Sequence, residues 1–282
     1  MMTNVPTWEV DLLIDAPVTI RRPFRTREPK GFRPNDPFYS DIEISRAPSG
    51  LRTTITARAL NERLAREAAV FFFGRVLDIL AFRINMPLFL SLTESETPRN
   101  SRVRQPVRRN IEDHEIKDSF QEADHLAIAE PPFLKSLSWY RKGLYTEDPF
   151  DKFLALWISI EIVAAQYYGS VTSIDQERAK NGSKSQIWEC FKALWGECDQ
   201  WPIIPGNDRW IDENYELRKD IAHGISSVDI EKVALVLDKL TVIPQVAHRF
   251  LQDWRDNILY RDLQPASQRL LHPDEAFPSQ RD

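Results

Sequence analysis

Two side chains near residue 220 have the types and the spacing that phosphodiester chemistry could use. The segment from Tyr215 to Gly224 reads Tyr-Glu-Leu-Arg-Lys-Asp-Ile-Ala-His-Gly, which places Arg218 and His223 five positions apart at the end of a predicted helix. A planar guanidinium can bind a phosphate through paired N–H donors, and an imidazole can move a proton near neutral pH. The pair therefore has the parts needed to cleave an RNA backbone without a metal ion.

Helix geometry limits how this pair can work. On a straight helix the side chains of Arg218 and His223 point about 140° apart. They converge only if the last turn unwinds toward Gly224 or if a second copy of the motif faces the first. Lys219 and Asp220, by contrast, can contact His223 directly, so that Asp220 could orient or charge the imidazole. The alternative is that Arg218 and His223 only stabilise a helix C-terminus, where a cation contributes roughly 0.3 to 1 kcal/mol.

A buried acid is the predicted partner of the arginine. Asp148 and Pro149 begin a helix that is apolar around nearly its whole circumference, and Glu161 lies in its middle. An unpaired buried carboxylate costs several kcal/mol, so we expect Glu161 to pair with Arg218. The pair then either holds the arginine ready for a phosphate or is purely structural.

Tyr215 could stack on a base, although core packing is the commoner role of an aromatic residue at this spacing.

The first hundred residues have the pattern of an α+β domain, assigned to residues 1–97. Alternating apolar side chains predict strands at 8–14, 41–45, 51–59 and 86–93, and the proline-rich stretch 16–39 is predicted to be a loop. A helix is predicted from about Glu62 to Phe82, with Asn61 available as its N-cap. Its broad apolar face is expected to pack on the strands.

The rest of the chain is predicted to be helical after a connector. Residues 98–130 contain five arginines followed by an acidic block, which predicts a solvated charged linker; an RNA-tracking arm is the alternative. Residues 131–260 show helical periodicity and predict an all-α bundle. Residues 261–282 have three prolines and few apolar side chains, so they are predicted to be a disordered tail.

Composition narrows the class of protein. The 282 residues carry a net charge of -5, so any RNA contact must come from local basic patches. The two cysteines, Cys190 and Cys198, are too few for a disulfide framework or a zinc site. No signal peptide, membrane-length apolar run or glycine-rich phosphate loop is found. We expect a cytoplasmic protein with no metal, no cofactor and no membrane contact.

The Arg-x4-His-Gly motif, together with an upstream apolar helix that carries Glu161, resembles the HEPN superfamily. The nearest likeness is to its Apea-like group, which includes proteins of the methylamine-utilisation J type, and it covers residues 133 to 260. The resemblance implies a HEPN-like bundle of four or five helices that forms a homodimer. It also implies, in active members, a metal-independent endoribonuclease whose Arg218 and His223 meet at the dimer cleft. Lys219 differs from the Asn, Asp or His that active members usually carry after the arginine.

These observations support hypotheses of different classes. The leading one is an RNA-cleaving or RNA-binding HEPN homodimer, in bacterial defence against phage or in stress response, with Arg218, His223 and Asp220 as catalytic residues. Lys219, Tyr215 and Glu161 would serve substrate binding, with Glu161 orienting Arg218. The alternative is a non-catalytic HEPN module that dimerises or scaffolds a partner protein, which Lys219 and the acidic net charge favour. A housekeeping role near amine metabolism follows only from the resemblance.

Overall fold

The computed structural model describes residues 6–27, 38–91, 108–223 and 230–260. It shows an α+β amino-terminal part with an antiparallel sheet and a mostly helical carboxy-terminal region. Within these ranges, none of the helices combines the length and the apolar character that spanning a lipid bilayer requires.

A five-stranded antiparallel sheet forms the amino-terminal part, in the order β3-β4-β5-β1-β6. The strands are β1 (Thr7–Asp15), β3 (Phe24–Arg27), β4 (Phe38–Ala47), β5 (Gly50–Arg58) and β6 (Phe89–Ser91). The strands predicted at 41–45 and 51–59 are confirmed as β4 and β5, and they form a hairpin in which Ala47 lies opposite Gly50. One face of the sheet is apolar and buried, because Val10, Leu12 and Ile14 of β1 and Ile55 of β5 all point toward it.

The predicted loop at 16–39 is partly wrong. It contains β2 (Val18–Ile20) and β3, as well as the start of β4. Strand β2 pairs in parallel with β7 (Arg109–Ile111), about ninety residues later in the chain. Val18, Ile20 and Ile111 are all buried, so tertiary packing stabilises this three-residue strand of β-branched side chains. Residues 28–37 lie outside the described ranges.

Helix α1 (Glu62–Ile84) joins the sheet to the rest of the molecule. Asn61 caps it as predicted, since its side-chain oxygen accepts the backbone N–H of Leu64 at 2.9 Å. One side of the helix packs on β1, β4 and β5, and another packs on the helices that follow. From Phe73 onward its buried residues surround the axis, as a helix covered on two sides requires.

The predicted linker at 98–130 is also partly wrong. Residues 113–129 form helix α2 (Asp113–Ala129), which begins with a capping box between Glu112 and Glu115. Its apolar stripe of Ile116, Phe120, Ala123 and Leu126 is buried, so this segment belongs to the core. The charges of the segment lie on the other faces of an amphipathic helix. Residues 98–107 lie outside the described ranges.

The helical region is built around α4. Its described helices are α3 (Pro131–Tyr145), α4 (Pro149–Tyr167), α5 (Gln176–Ala179), α6 (Ser183–Trp195), α7 (Trp210–His223), α8 (Ile230–Lys239) and α9 (Ile243–Trp254). Helix α4 contacts α3, α6, α7, α8 and α9, which explains why it is apolar nearly all round. Asp148 caps it through the backbone N–H groups of Phe150 and Asp151, as its sequence predicts. The predicted tail at 261–282 lies outside the described ranges.

Buried polar contacts connect the two regions. Arg83 of α1 forms an ion pair with Glu122 of α2 at 2.5 Å, and Arg255 approaches the same carboxylate at 3.6 Å. The imidazole of His248 on α9 is hydrogen-bonded to the carbonyl of Phe82 on α1 at 3.0 Å. The end of α1 is therefore fixed against both α2 and α9.

Candidate functional site

Helix α7 carries the Arg-x4-His motif, and its buried stripe determines which way the motif side chains point. Trp210, Ile211, Asn214 and Leu217 are buried, and Ile221 is partly buried along the same side. The indole of Trp210 packs beside that of Trp157 on α4, with ring centroids 5.8 Å apart. This packing fixes the rotation of α7 and thus the direction of each motif side chain.

Arg218 lies at the edge of that stripe and pairs with the predicted acid. Its Nη2 donates to Glu161 Oε2 at 3.1 Å, and the two side chains are 28% and 14% exposed. The Nε of Arg218 is buried and has no acceptor among the described residues. The arginine is therefore held by one carboxylate oxygen through one terminal nitrogen.

His223 ends α7 and is exposed. The helix is regular through His223, so the last turn does not unwind before the imidazole, and Gly224 lies outside the described residues. Within one chain, Arg218 and His223 therefore point about 140° apart. The imidazole faces outward with Asp212, Glu216 and Lys219, whereas Arg218 faces α4.

The structure brings Asp220 to a lysine of the next helix. Its Oδ2 accepts from Nζ of Lys232 at 3.2 Å. No hydrogen bond joins Asp220 to His223 in the part of the chain that the structure describes. The predicted contact between these two side chains is therefore not formed in a single chain.

Lys219 and Tyr215 are neighbours on the partly exposed side of α7. Lys219 donates to Glu216 at 3.0 Å, and its Nζ lies 5.8 Å from the centre of the Tyr215 ring. The hydrogen bond and the charge of Glu216 raise the pKa of Lys219. Lys219 thus stays protonated at neutral pH, but its charge is largely balanced by that of Glu216.

Sequence reasoning missed the lysines of α8. Lys232 and Lys239 pair with Asp220 and Glu213 of α7, at 3.2 and 2.7 Å. The sequence does contain a signal for these contacts. Glu213 and Asp220 are seven residues apart, as are Lys232 and Lys239, so each set lies along one face of its helix. These two ion pairs fasten α8 along α7 in the antiparallel direction, on the side next to His223.

The described residues offer little support for a metal site or for a cysteine nucleophile. Among residues 6–27, 38–91, 108–223 and 230–260, no three His, Cys, Asp or Glu side chains are grouped as metal ligands would be. Cys190 is buried, and burial raises the pKa of its thiol. A thiol with a raised pKa is a poor nucleophile, so this cysteine serves packing.

Comparison of the chain with protein families, with curated proteins and with solved structures finds no match.

Proposed function

We propose that the protein is a metal-independent endoribonuclease of the HEPN type. It acts as a cytoplasmic homodimer in bacterial defence or stress response. The observation that carries this proposal is an exposed imidazole at the end of α7, five residues beyond an arginine that a buried carboxylate positions. RNA is the substrate that such a pair can cleave without a cofactor, because its own 2'-hydroxyl supplies the nucleophile.

His223 has the chemistry to move the proton. Acting as a base, it accepts the proton of the 2'-hydroxyl as that oxygen attacks phosphorus and the bond to the 5'-oxygen breaks. The imidazolium then gives this proton, directly or through solvent, to the leaving 5'-oxygen, and the products are a 2',3'-cyclic phosphate and a 5'-hydroxyl. General acid–base catalysis of this kind contributes about 10² to 10⁴ in rate.

Arg218 has a free donor group for the phosphate. Glu161 engages Nη2, which leaves Nη1 without an acceptor among the described residues. A guanidinium held in place before the substrate arrives offsets the charge that grows on the phosphoryl oxygens without reorganising. Glu161 is thus proposed to orient Arg218 rather than to neutralise it.

Two copies are needed to complete such a site. Because the two side chains of one helix diverge by about 140°, the arginine of one subunit must work with the imidazole of the other. Two-fold symmetry then produces two equivalent sites in one cleft. Lys219 and Tyr215 lie beside the motif and are proposed to contact RNA through a phosphate and a base.

A second function is favoured by a specific observation. Arg218, Lys219 and Asp220 are each engaged in an ion pair within the chain, with Glu161, Glu216 and Lys232. Lys219 also replaces the residue type that active HEPN proteins usually carry. Both features fit a non-catalytic HEPN module that dimerises or scaffolds a partner protein.

Incubation of the full-length protein with mixed RNA in EDTA separates the two functions. The matched variants are Arg218→Ala, His223→Ala and the control His114→Ala, which removes an exposed imidazole elsewhere. Cleavage that persists in the wild type and the control, disappears in the other two variants and leaves cyclic phosphate ends supports the nuclease. RNA that stays intact with the wild type, at concentrations where the protein is dimeric, supports the scaffold.

A further inference from the structure

An open cavity lies between α1, α2 and α3, far along the chain from the α7 motif. Its volume is about 370 Å³, and residues of all three helices line it. This volume is within the range of about 300 to 1,000 Å³ that is typical of small-molecule sites. The cavity is formed where the helix that carries the sheet meets the first helix of the bundle, and such junctions are common places for ligands.

The inner wall of the cavity is a buried ion pair. Nε of Arg141 lies 2.5 Å from Oδ1 of Asp78, and the two side chains are 13% and 5% exposed. Arg141 also donates to the carbonyl of Leu88 at 3.1 Å. Burial raises the pKa of Asp78, and the adjacent guanidinium opposes that effect. The pair is thus rigid, and its opposite charges largely cancel.

Two further cations, Arg75 and Lys135, line the same cavity, and Asp78 is its one lining carboxylate, whose charge attracts Arg75 as well as Arg141. Neither Arg75 nor Lys135 forms an ion pair with a carboxylate in the described ranges of the chain, and both line the cavity with the neutralised Arg141. The guanidinium of Arg75 lies over the ring of Phe71, 4.2 Å from its centre. The cavity therefore carries an excess of positive charge.

The outer wall of the cavity is apolar and exposed. Phe71 is 57% exposed, and it lines the cavity together with the partly buried Val70 and the buried Leu134. Ligand sites commonly combine an apolar lining with a few convergent polar groups. An apolar group placed there would cover Phe71 while a charged group reached the cations.

Gly74 keeps part of this space open. A glycine inside a helix costs about 1 kcal/mol relative to alanine, so its presence calls for a reason. A Cβ added to Gly74 would meet only Nη2 of Arg141, at 3.9 Å, which is an ordinary contact distance. Packing within the fold does not require the glycine. A larger side chain there would project into the cavity.

We propose that this cavity binds a small organic anion. Arg75 and Lys135 bind its acid group, and Phe71, Val70 and Leu134 cover its apolar body. The two sources of such a ligand are nucleotides and medium-chain or aromatic carboxylic acids, which share this combination of charge and apolar surface. The inference is independent of the nuclease proposal, because it uses no residue of α7.

The test is a calorimetric titration of the full-length protein with four probes. AMP and octanoate carry the acid group, and adenosine and octanamide are their uncharged counterparts. We expect one of the two anions to bind with a Kd below about 1 mM and its uncharged counterpart to bind at least about ten-fold more weakly. Binding of AMP identifies a nucleotide site, and binding of octanoate identifies a carboxylic-acid site.

Variants locate the site on the protein. Arg75→Gln and Lys135→Gln each remove one charge at the surface, and each is expected to weaken binding roughly ten-fold or more. Gly74→Leu is expected to abolish binding by filling the cavity. Lys117→Gln is the control, because it removes an exposed charge of α2 outside the cavity. The proposal is overturned if neither anion binds below about 1 mM, if each binds no better than its uncharged counterpart, or if the Arg75 and Lys135 variants match the control.

Discussion

The Nη2 of Arg218 lies 3.1 Å from the Oε2 of Glu161, a residue fifty-seven positions earlier in the chain. This contact joins the motif helix α7 to the central helix α4. Because Glu161 is only 14% exposed, its charge depends on the arginine for compensation. The same hydrogen bond thus stabilises the fold and sets the position of Arg218, the residue proposed to bind the phosphate.

Glu161→Gln should destabilise the protein by about 1 to 3 kcal/mol, because it leaves a partly buried guanidinium without its charged acceptor. Urea unfolding monitored by tryptophan fluorescence measures the change in the free energy of unfolding. The matched control is Glu216→Gln, which breaks the exposed pair with Lys219 and should leave the free energy of unfolding almost unchanged. Equal losses in the two variants would show that Glu161 does not depend on this pairing.

Mixing two inactive variants should restore cleavage if the site is shared between subunits. A heterodimer of Arg218→Ala and His223→Ala subunits contains one intact site, in which Arg218 and His223 come from different chains. After subunit exchange at equal concentrations, about a quarter of the wild-type rate is expected, since half of the dimers carry one of two sites. The rate of cyclic-phosphate formation is the measurement. No recovery, despite exchange confirmed by mass spectrometry, would exclude a site built from two subunits.

Two glycines should respond to alanine with opposite signs. Gly74→Ala is expected to stabilise the protein by about 0.5 to 1 kcal/mol, because the helix gains propensity and the new methyl group meets nothing closer than 3.9 Å. Gly143→Ala should instead destabilise it by about 1 to 3 kcal/mol, since its Cβ would lie 2.6 Å from Cγ of Leu156 on α4. Thermal unfolding of both variants tests the pair. A gain in stability at Gly143 would contradict the close packing of α3 on α4.

His248 should make stability depend on pH. Burial lowers its pKa, the nearby Arg255 lowers it further, and the hydrogen bond with the Phe82 carbonyl opposes both. Well above the unfolded pKa of about 6.5 the imidazole is neutral in both states, so it adds no pH dependence. As the pH falls below that value, the unfolded chain binds the proton more readily, and the free energy of unfolding decreases until the lower folded pKa is reached.

The measurement for His248 is the free energy of unfolding between about pH 7.5 and pH 5. His248→Gln keeps a donor for the Phe82 carbonyl but cannot bind a proton, so its stability should fall less steeply with decreasing pH. If wild type and variant lose stability in parallel over this range, His248 is not the group responsible.

Local signals predicted much of the helical region. Asp148 and Pro149 correctly mark the start of α4, and Asn61 marks that of α1, because caps and first-turn residues act over a few positions. The ion pair between Glu161 and Arg218 was also predictable. A carboxylate in the middle of an apolar helix needs a cation, and the motif supplied one.

The features that sequence reasoning missed depend on distant partners. Strand β2 has only three residues, and its partner β7 lies about ninety residues later, so no local pattern shows that the two pair. In α2, Ile116, Phe120 and Ala123 have helical spacing, but the adjacent blocks of opposite charge are also typical of a solvated linker, and only the packing on α1 and α3 decides between the two. Asp220 pairs with Lys232 rather than His223, because α8 lies along α7. The cavity between α1, α2 and α3 could not be predicted either, because its shape depends on how three separate helices pack.

The two-sided burial of α1 has a practical consequence for dissection of the molecule. Cutting after residue 97 would strip α2 and α3 from Phe73, Phe82 and the Asp78 carboxylate. A fragment that begins at residue 131 would expose the apolar side of α3 and would lack the Phe82 carbonyl to which His248 is hydrogen-bonded. Neither half should survive as an autonomous folding unit, so assays belong on the intact polypeptide.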